Sequence, residues 1–152
     1  EMFYKSENLD KVDFSLYLKK LISDLIHTFQ GPKNEITLDL KTSKVWVNLD
    51  TAIPLGLIIN EIITNSIKHG IKPGQHGTII AKFEKTNVGE LKLIIGDNGV
   101  GTEDIFDDKK ESTLGIMLIN SLVEQLDGTI RQLKDMPGTV YEIMLKQVVP
   151  NS

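Results

Sequence analysis

Apolar residues recur along the first part of the chain with the spacing of a helix. Phe14, Leu18, Leu21, Ile22, Leu25, Ile26 and Phe29 form a stripe of period 3.6. Asp13 stands where an N-cap is needed, and Gly31-Pro32 ends the element. His27 falls near Lys20 and Asp24 on the polar side and reads as a solvated surface residue. The period then changes to two. Ile36, Leu38 and Leu40 alternate with polar residues, and Val45–Val47, with the only tryptophan, predicts a second short strand. Asp50 or Thr51 is expected to cap a second helix running to about His69, with Pro54 in its first turn and Gly70 closing it. Further on, Thr78–Glu84 and Leu91–Ile95 predict a hairpin across Asn87-Val88-Gly89. A polar stretch from Gly96 to Thr113 leads to a third helix, Leu114–Leu126. Thr129–Lys134 and Thr139–Leu145 predict a last hairpin around Met136-Pro137-Gly138.

Three helices and five or six strands, mixed along the chain and without repeats, predict an α+β fold. Helices on one face of a mostly antiparallel sheet, a two-layer α/β sandwich, bury both sets of apolar positions. The chain has 152 residues, 40% hydrophobic and 25% charged, the balance of one globular domain rather than a disordered segment. Its 21 acids against 17 bases leave a net charge of −4, which does not favour nucleic acid as a partner. Without cysteine there are no disulfides, no thiol catalysis and no cysteine zinc site. His27, His69 and His76 fall in separate segments and give no metal-ligand spacing. The apolar run Ala52–Ile59 is far short of the roughly 20 residues of a membrane span. Glu1–Asp10 is polar and has no signal-peptide core. The expectation is a single cytoplasmic domain with no direct membrane contact.

Four segments could carry chemistry. On the second helix Glu61, Asn65 and Lys68 lie at i, i+4 and i+7, so an ideal α-helix puts them on one face. A carboxylate, an amide oxygen and an ammonium in a row can hold Mg²⁺ and a phosphate chain together, or can simply be a polar helix face. Asp97-Asn98-Gly99-Val100-Gly101 follows an apolar strand, supplying an acceptor and then backbone that a ligand can approach closely. An ordinary turn would use the same residues. Ser112-Thr113-Leu114-Gly115-Ile116 enters the third helix, where free N–H groups and the helix dipole favour phosphate. Gly138-Thr139 opens the last strand. Neither a Walker phosphate loop nor a G-x-G-x-x-G fingerprint occurs.

In order, these segments resemble the Bergerat-fold (GHKL) ATP-binding domains. Asn60 to His69 resembles their N box, Asp97-x-Gly99-x-Gly101 the G1 box, Thr113-Leu114-Gly115-Ile116 the G2 box, and Gly138-Thr139 the closing strand. The likeness spans roughly residues 45–146. Within the group, Asp50 to Leu57, the Lys68-His69 ending, the short lid and Val123 to Ile130 are most similar to sensor histidine kinases with the second type of dimerisation and phosphoacceptor domain. Three departures stand out. Glu111 and Thr113 occupy positions where the G2 box usually has glycines, no separate F box is visible beyond Ile105-Phe106, and no histidine sits in a phosphoacceptor context.

The resemblance implies a two-layer sandwich with a mixed sheet of about five strands on three helices. It implies that residues 1–32 form a helix linking from a missing phosphoacceptor domain, and that 33–152 form the catalytic unit, compact with that helix. ATP and Mg²⁺ would bind between the second helix and the lid. Asp97 would accept from the adenine amino group, Gly99 and Gly101 would let the lid backbone turn, and Asn65 would ligate Mg²⁺. Lys68 and His69 would meet phosphate oxygens, with Thr113, Leu114 and Gly115 in the G2 box. Glu61 would stand near the γ-phosphate as the catalytic carboxylate, and Thr139 would close the adenine pocket. The implied partners are the phosphoacceptor domain of the same kinase and a response regulator. An anti-sigma-factor serine kinase, or an ATPase of the chaperone or topoisomerase kind, remains as an alternative.

Overall fold

The computed structural model describes residues 11–31, 35–72, 74–99 and 110–146. Helix α1 spans Phe14–Phe29, as its stripe predicts. Asp13 caps it, its Oδ1 accepting from the Leu16 amide at 3.4 Å and from the Ser15 hydroxyl at 2.7 Å. The hydroxyl contact is the main reason the Asp13 carboxyl lies below its ordinary value. Phe14, Leu18 and Ile22 are fully buried, while His27 is exposed.

A three-residue strand, β1 (Lys11–Asp13), precedes this helix and pairs antiparallel with β3 (Trp46–Asn48). That pairing moves the start of helix α2 (Leu49–Asn65) forward. Val47 is held opposite Val12, so the chain turns directly out of the strand and Asn48, not Asp50 or Thr51, is the N-cap. Asp50 instead sits in the first turn, where a carboxylate opposes the positive end of the helix dipole. Pro54 consequently falls beyond the first turn, and its missing N–H leaves the Asp50 carbonyl without its helical donor. The α-hydrogen bonding also stops short of His69. Ser66–Gly70 form a π-helical turn, closed by the Ile71 amide donating to the Ser66 carbonyl at 3.0 Å.

The main sheet is mixed. Strands β2 (Glu35–Thr42), β4 (His76–Lys85), β5 (Leu91–Asp97), β6 (Gly128–Gln132) and β7 (Thr139–Leu145) lie in the order β2-β4-β5-β7-β6. β2 and β4 are parallel, and the other neighbours are antiparallel, including both predicted hairpins. β5 runs two residues further than its apolar pattern, so Gly96 and Asp97 belong to the strand. Helix α3 (Lys110–Gln125) starts four residues before the predicted Leu114.

The three helices cover one face, with α1 packed on β2, α2 on β5 and α3 on β6, and α2 in contact with both other helices. Their apolar faces meet Ile79, Ala81 and Phe83 of β4, Leu93 and Ile95 of β5, and Ile143 of β7 in one core. The rings of Phe14 and Phe83 meet at a centroid distance of 5.0 Å, fastening α1 to the sheet. No helix among the described residues is long and apolar enough to cross a membrane.

Candidate functional site

Asp97 ends β5 under the middle helix, and it is fully buried. Burial pushes its carboxyl above the ordinary carboxylate range, against the opposing pull of the Ser66 hydroxyl and the Gly99 and Thr139 amides. Oδ1 accepts from the Gly99 amide at 2.8 Å. Among the described residues Oδ2, buried, has no hydrogen-bond partner. A buried acceptor left open is costly, and such groups recur where a ligand supplies the missing donor.

The walls around that oxygen depend on two glycines. A Cβ on Gly70 would stand 2.6 Å from Asp97 Oδ2, and one on Gly99 would collide with the Gly70 carbonyl oxygen. The π turn and the segment after β5 therefore touch backbone to backbone. Asn98 anchors that segment to β4: its amide donates to the Thr78 carbonyl at 3.1 Å, and its Oδ1 accepts from the Thr78 amide at 2.8 Å. On the other side Thr139, buried, is paired with Asp97 in the β5–β7 ladder. Gly138 precedes it at φ +80°, with its Cα against the Asp97 carbonyl.

The polar residues of α2 do not all face the same neighbour. Glu61 faces α3, where a Cβ on Gly115 would lie 2.5 Å from Glu61 Oε2. Asn65, half-buried, is the last α-helical residue. Lys68 lies in the π turn, and its ammonium stands over the Phe29 ring of α1, 5.1 Å from the centroid. The wider hydrogen-bond spacing of the turn breaks the i, i+4, i+7 alignment expected from an ideal helix. His69 is exposed beside it.

The structure thus brings Asp97, Gly99 and Thr139 together, with Glu61 against Gly115 and Asn65 between these groups along α2. Gly101, residues 102–109 of the expected lid, and the side chains of Thr113 and Leu114 lie outside the described residues, as do Glu1–Asp10 and Pro32. Ser66 and Gly70 were not singled out by the sequence as site residues. Ser66 contributes a hydroxyl to the Asp97 carboxylate and Gly70 an absent side chain. Their signal was the small residue after Asn65 and the glycine after His69.

A carboxylate oxygen open to a donor, bounded by backbone, next to a helix bearing a carboxylate and an amide, is suited to a nucleobase amino group with phosphates beyond it. Residues 50–149 match the family described as histidine kinase-, DNA gyrase B- and HSP90-like ATPases, and the chain belongs to that family. It is 23% identical over 132 residues to blue-light-activated histidine kinase 2 of Erythrobacter litoralis, covering 87% of this chain and 38% of that protein. It is 29% identical over 83 residues to the sensor histidine kinase PdtaS of Mycobacterium tuberculosis, covering 53% of this chain and 16% of that one. Among solved structures, the histidine kinase domain of the Erythrobacter litoralis EL346 kinase superposes with a TM-score of 0.75 at 20% identity, covering 89% of this chain and 61% of that one. The mycobacterial sensor histidine kinase MprB superposes at 0.68 and 18% identity, covering 91% and 99%. At these identities the structural likenesses concern the fold.

Proposed function

We propose that this chain is the ATP-binding catalytic domain of a sensor histidine kinase, transferring the γ-phosphoryl group of ATP to a histidine on a separate dimerisation domain. The observation that carries this reading is Oδ2 of Asp97, a buried acceptor unpaired among the described residues and closed in by the Gly70 and Gly99 backbone. Family membership supports it, as do relatives named histidine kinases, one of them a sensor histidine kinase.

In this reading Asp97 accepts from the adenine amino group, and Ser66 and the Gly99 amide keep its carboxylate in place. Thr139 closes the pocket from the sheet. Gly99, Gly101, Thr113, Leu114 and Gly115 carry the backbone over the phosphates. Lys68 and His69 meet phosphate oxygens, and Glu61 stands by the γ-phosphate. The donor set on α2 suits Mg²⁺: an amide oxygen at Asn65 with a carboxylate one turn earlier offers hard ligands, and the remaining positions suit phosphate and water. When bound, Mg²⁺ neutralises charge on the phosphates, while the chain's own part is positioning and electrostatic stabilisation. α1 would lead from the phosphoacceptor domain, a response regulator would take the phosphoryl group onward, and the setting would be cytoplasmic.

The test is incubation with labelled ATP and an added phosphoacceptor domain. Phosphate that is lost in acid and kept in base supports transfer to histidine. The opposite stability would favour a serine kinase, and steady hydrolysis without transfer an ATPase. Asn65→Ala is expected to abolish the tightening of ATP by Mg²⁺ while leaving adenosine affinity nearly unchanged. Titrations with and without Mg²⁺ check this, and a surviving magnesium increment would place the ligand elsewhere.

A further inference from the structure

Lys68 is the residue of the α2 stripe that the structure turns furthest from its expected place. Its ammonium is over the Phe29 ring at 5.1 Å, within the range of a cation–π contact. Among the described residues no carboxylate pairs with Lys68, so the ring is the partner the structure gives it. Phe29 is well placed to hold it. It is the last residue of α1, the preceding Leu25 and Ile26 are buried in the core, and the Gln30 amide donates to the Ile26 carbonyl to finish the helix. The backbone under the ring is thereby fixed, while the ring itself is 40% exposed and open to the lysine.

Two features turn Lys68 toward this ring. The π turn shifts it off the line of Glu61 and Asn65, and Gly70 presses the end of the same turn against Asp97 and Gly99. The base of the lysine is therefore tied to the adenine side of the pocket, while its charged tip rests on the neighbouring helix. A four-carbon stem lets the tip move without moving that base. A contact to an aromatic face at a half-exposed position is weaker than a charge-assisted bond to phosphate, so an arriving phosphate chain can take the ammonium from the ring.

We propose that Phe29 is a positioning residue for Lys68: its ring holds the ammonium on the α1 side of α2 in the nucleotide-free domain and releases it to phosphate when nucleotide binds. The proposal rests on the reading of Lys68 as a phosphate contact. It makes α1 a participant in nucleotide affinity although it contributes no group to the pocket.

The experiment is calorimetric titration of ATP and adenosine into wild type, Phe29→Leu, Phe29→Trp and Lys68→Ala, with proton NMR of the Lys68 ε-methylene. Phe29→Leu keeps an apolar side chain but removes the ring, so ATP is expected to bind about two- to fivefold more tightly and adenosine equally. Phe29→Trp offers a better cation–π face and is expected to leave ATP affinity equal or weaker. In the free wild-type domain the ε-methylene protons are expected to be shifted upfield by the ring, and to return on adding ATP but not adenosine. If Lys68→Ala leaves the ATP-to-adenosine ratio unchanged, Lys68 does not meet phosphate and the proposal falls with that reading. If the ratio falls in Lys68→Ala but Phe29→Leu matches wild type, the phosphate reading stands and the role of Phe29 is refuted. Lys68 ε-protons without an upfield shift in the free domain would also refute it.

Discussion

Asp97→Asn is expected to cost ATP affinity about ten- to hundredfold while leaving the nucleotide-free domain at least as stable as wild type. The two effects have one cause. In the free domain the carboxylate is fully buried, and its Oδ2 has no hydrogen-bond partner among the described residues. Burial raises its pKa above the ordinary 3.8. The sign of the linkage follows. A carboxyl that is harder to ionise in the folded state stabilises most below its unfolded value, and that contribution disappears as pH rises through the folded value. Above that folded value the wild type carries a charge where it is poorly solvated. Asparagine keeps an acceptor for the Gly99 amide and puts a neutral group where Oδ2 was. An unsatisfied neutral amide is costly, but less so than an unsatisfied charge. The advantage of the mutant in thermal melts should be greatest above the raised pKa and shrink as pH is lowered through it. Binding moves the other way. The mutant amide faces the adenine amino group donor to donor, and losing a charge-assisted bond is worth about 1.5–3 kcal/mol. GTP, whose base carries an acceptor at that position, should lose much less. Unchanged ATP affinity in a folded Asp97→Asn would remove Asp97 from the adenine site, and a destabilised free mutant would contradict the account of its burial.

Local signals were readable in the sequence, and long-range ones were not. The α1 stripe, both hairpins and the isoleucines of α2 are set by spacing within a few residues, and Ile58, Ile59, Ile62, Ile63 and Ile67 are all buried. The pairings of β1 with β3 and of β2 with β4 join segments more than thirty residues apart, and a three-residue strand such as Lys11–Asp13 has too few positions to show a period. The start of α2 went wrong for that reason. Asp50 and Thr51 are good capping residues, but β3 pairs with β1 and carries the chain straight into the helix at Leu49.

The candidate site was legible as residue types in order and not as geometry. Asp97 and Gly99 were singled out by their place after an apolar strand, yet what encloses Oδ2 is the contact of Gly70 with Asp97 and Gly99, at the end of a turn that changes from α to π hydrogen bonding. Nothing in the apolar pattern announces that change, because Ile67 stays buried through it. Its consequence is a division of labour, with Glu61 on α2 facing α3 and Lys68 in the π turn facing α1. An expectation of one polar face thus becomes a helix that addresses both of its neighbours.

Glu61→Ala separates phosphoryl transfer to histidine from hydrolysis, because the two reactions ask different things of the same carboxylate. Glu61 is half-buried on α2, and its Oε2 lies against Gly115 of α3. A carboxylate there can take a proton from water. An ATPase needs that, and general-base catalysis contributes about 10²–10⁴-fold. A neutral imidazole is already a good nucleophile, and its proton can go to a carboxylate of the domain that carries it. The isolated wild-type chain is therefore expected to hydrolyse ATP barely above background. With an added phosphoacceptor domain, Glu61→Ala is expected to slow transfer by less than about a hundredfold, the lower end of that range. ATP affinity should be unaltered, since Glu61 is placed by the γ-phosphate and not by the base. Gly115→Ala offers a second probe: its Cβ would reach 2.5 Å from Oε2, so the flexible end of Glu61 must move while remaining present. It should reproduce part of the Glu61→Ala effect. Single-turnover transfer and steady-state hydrolysis, measured side by side, decide the matter. Sustained hydrolysis by the wild type that disappears in Glu61→Ala would replace the kinase reading with an ATPase. Background hydrolysis together with transfer to the added histidine domain would bear the kinase reading out.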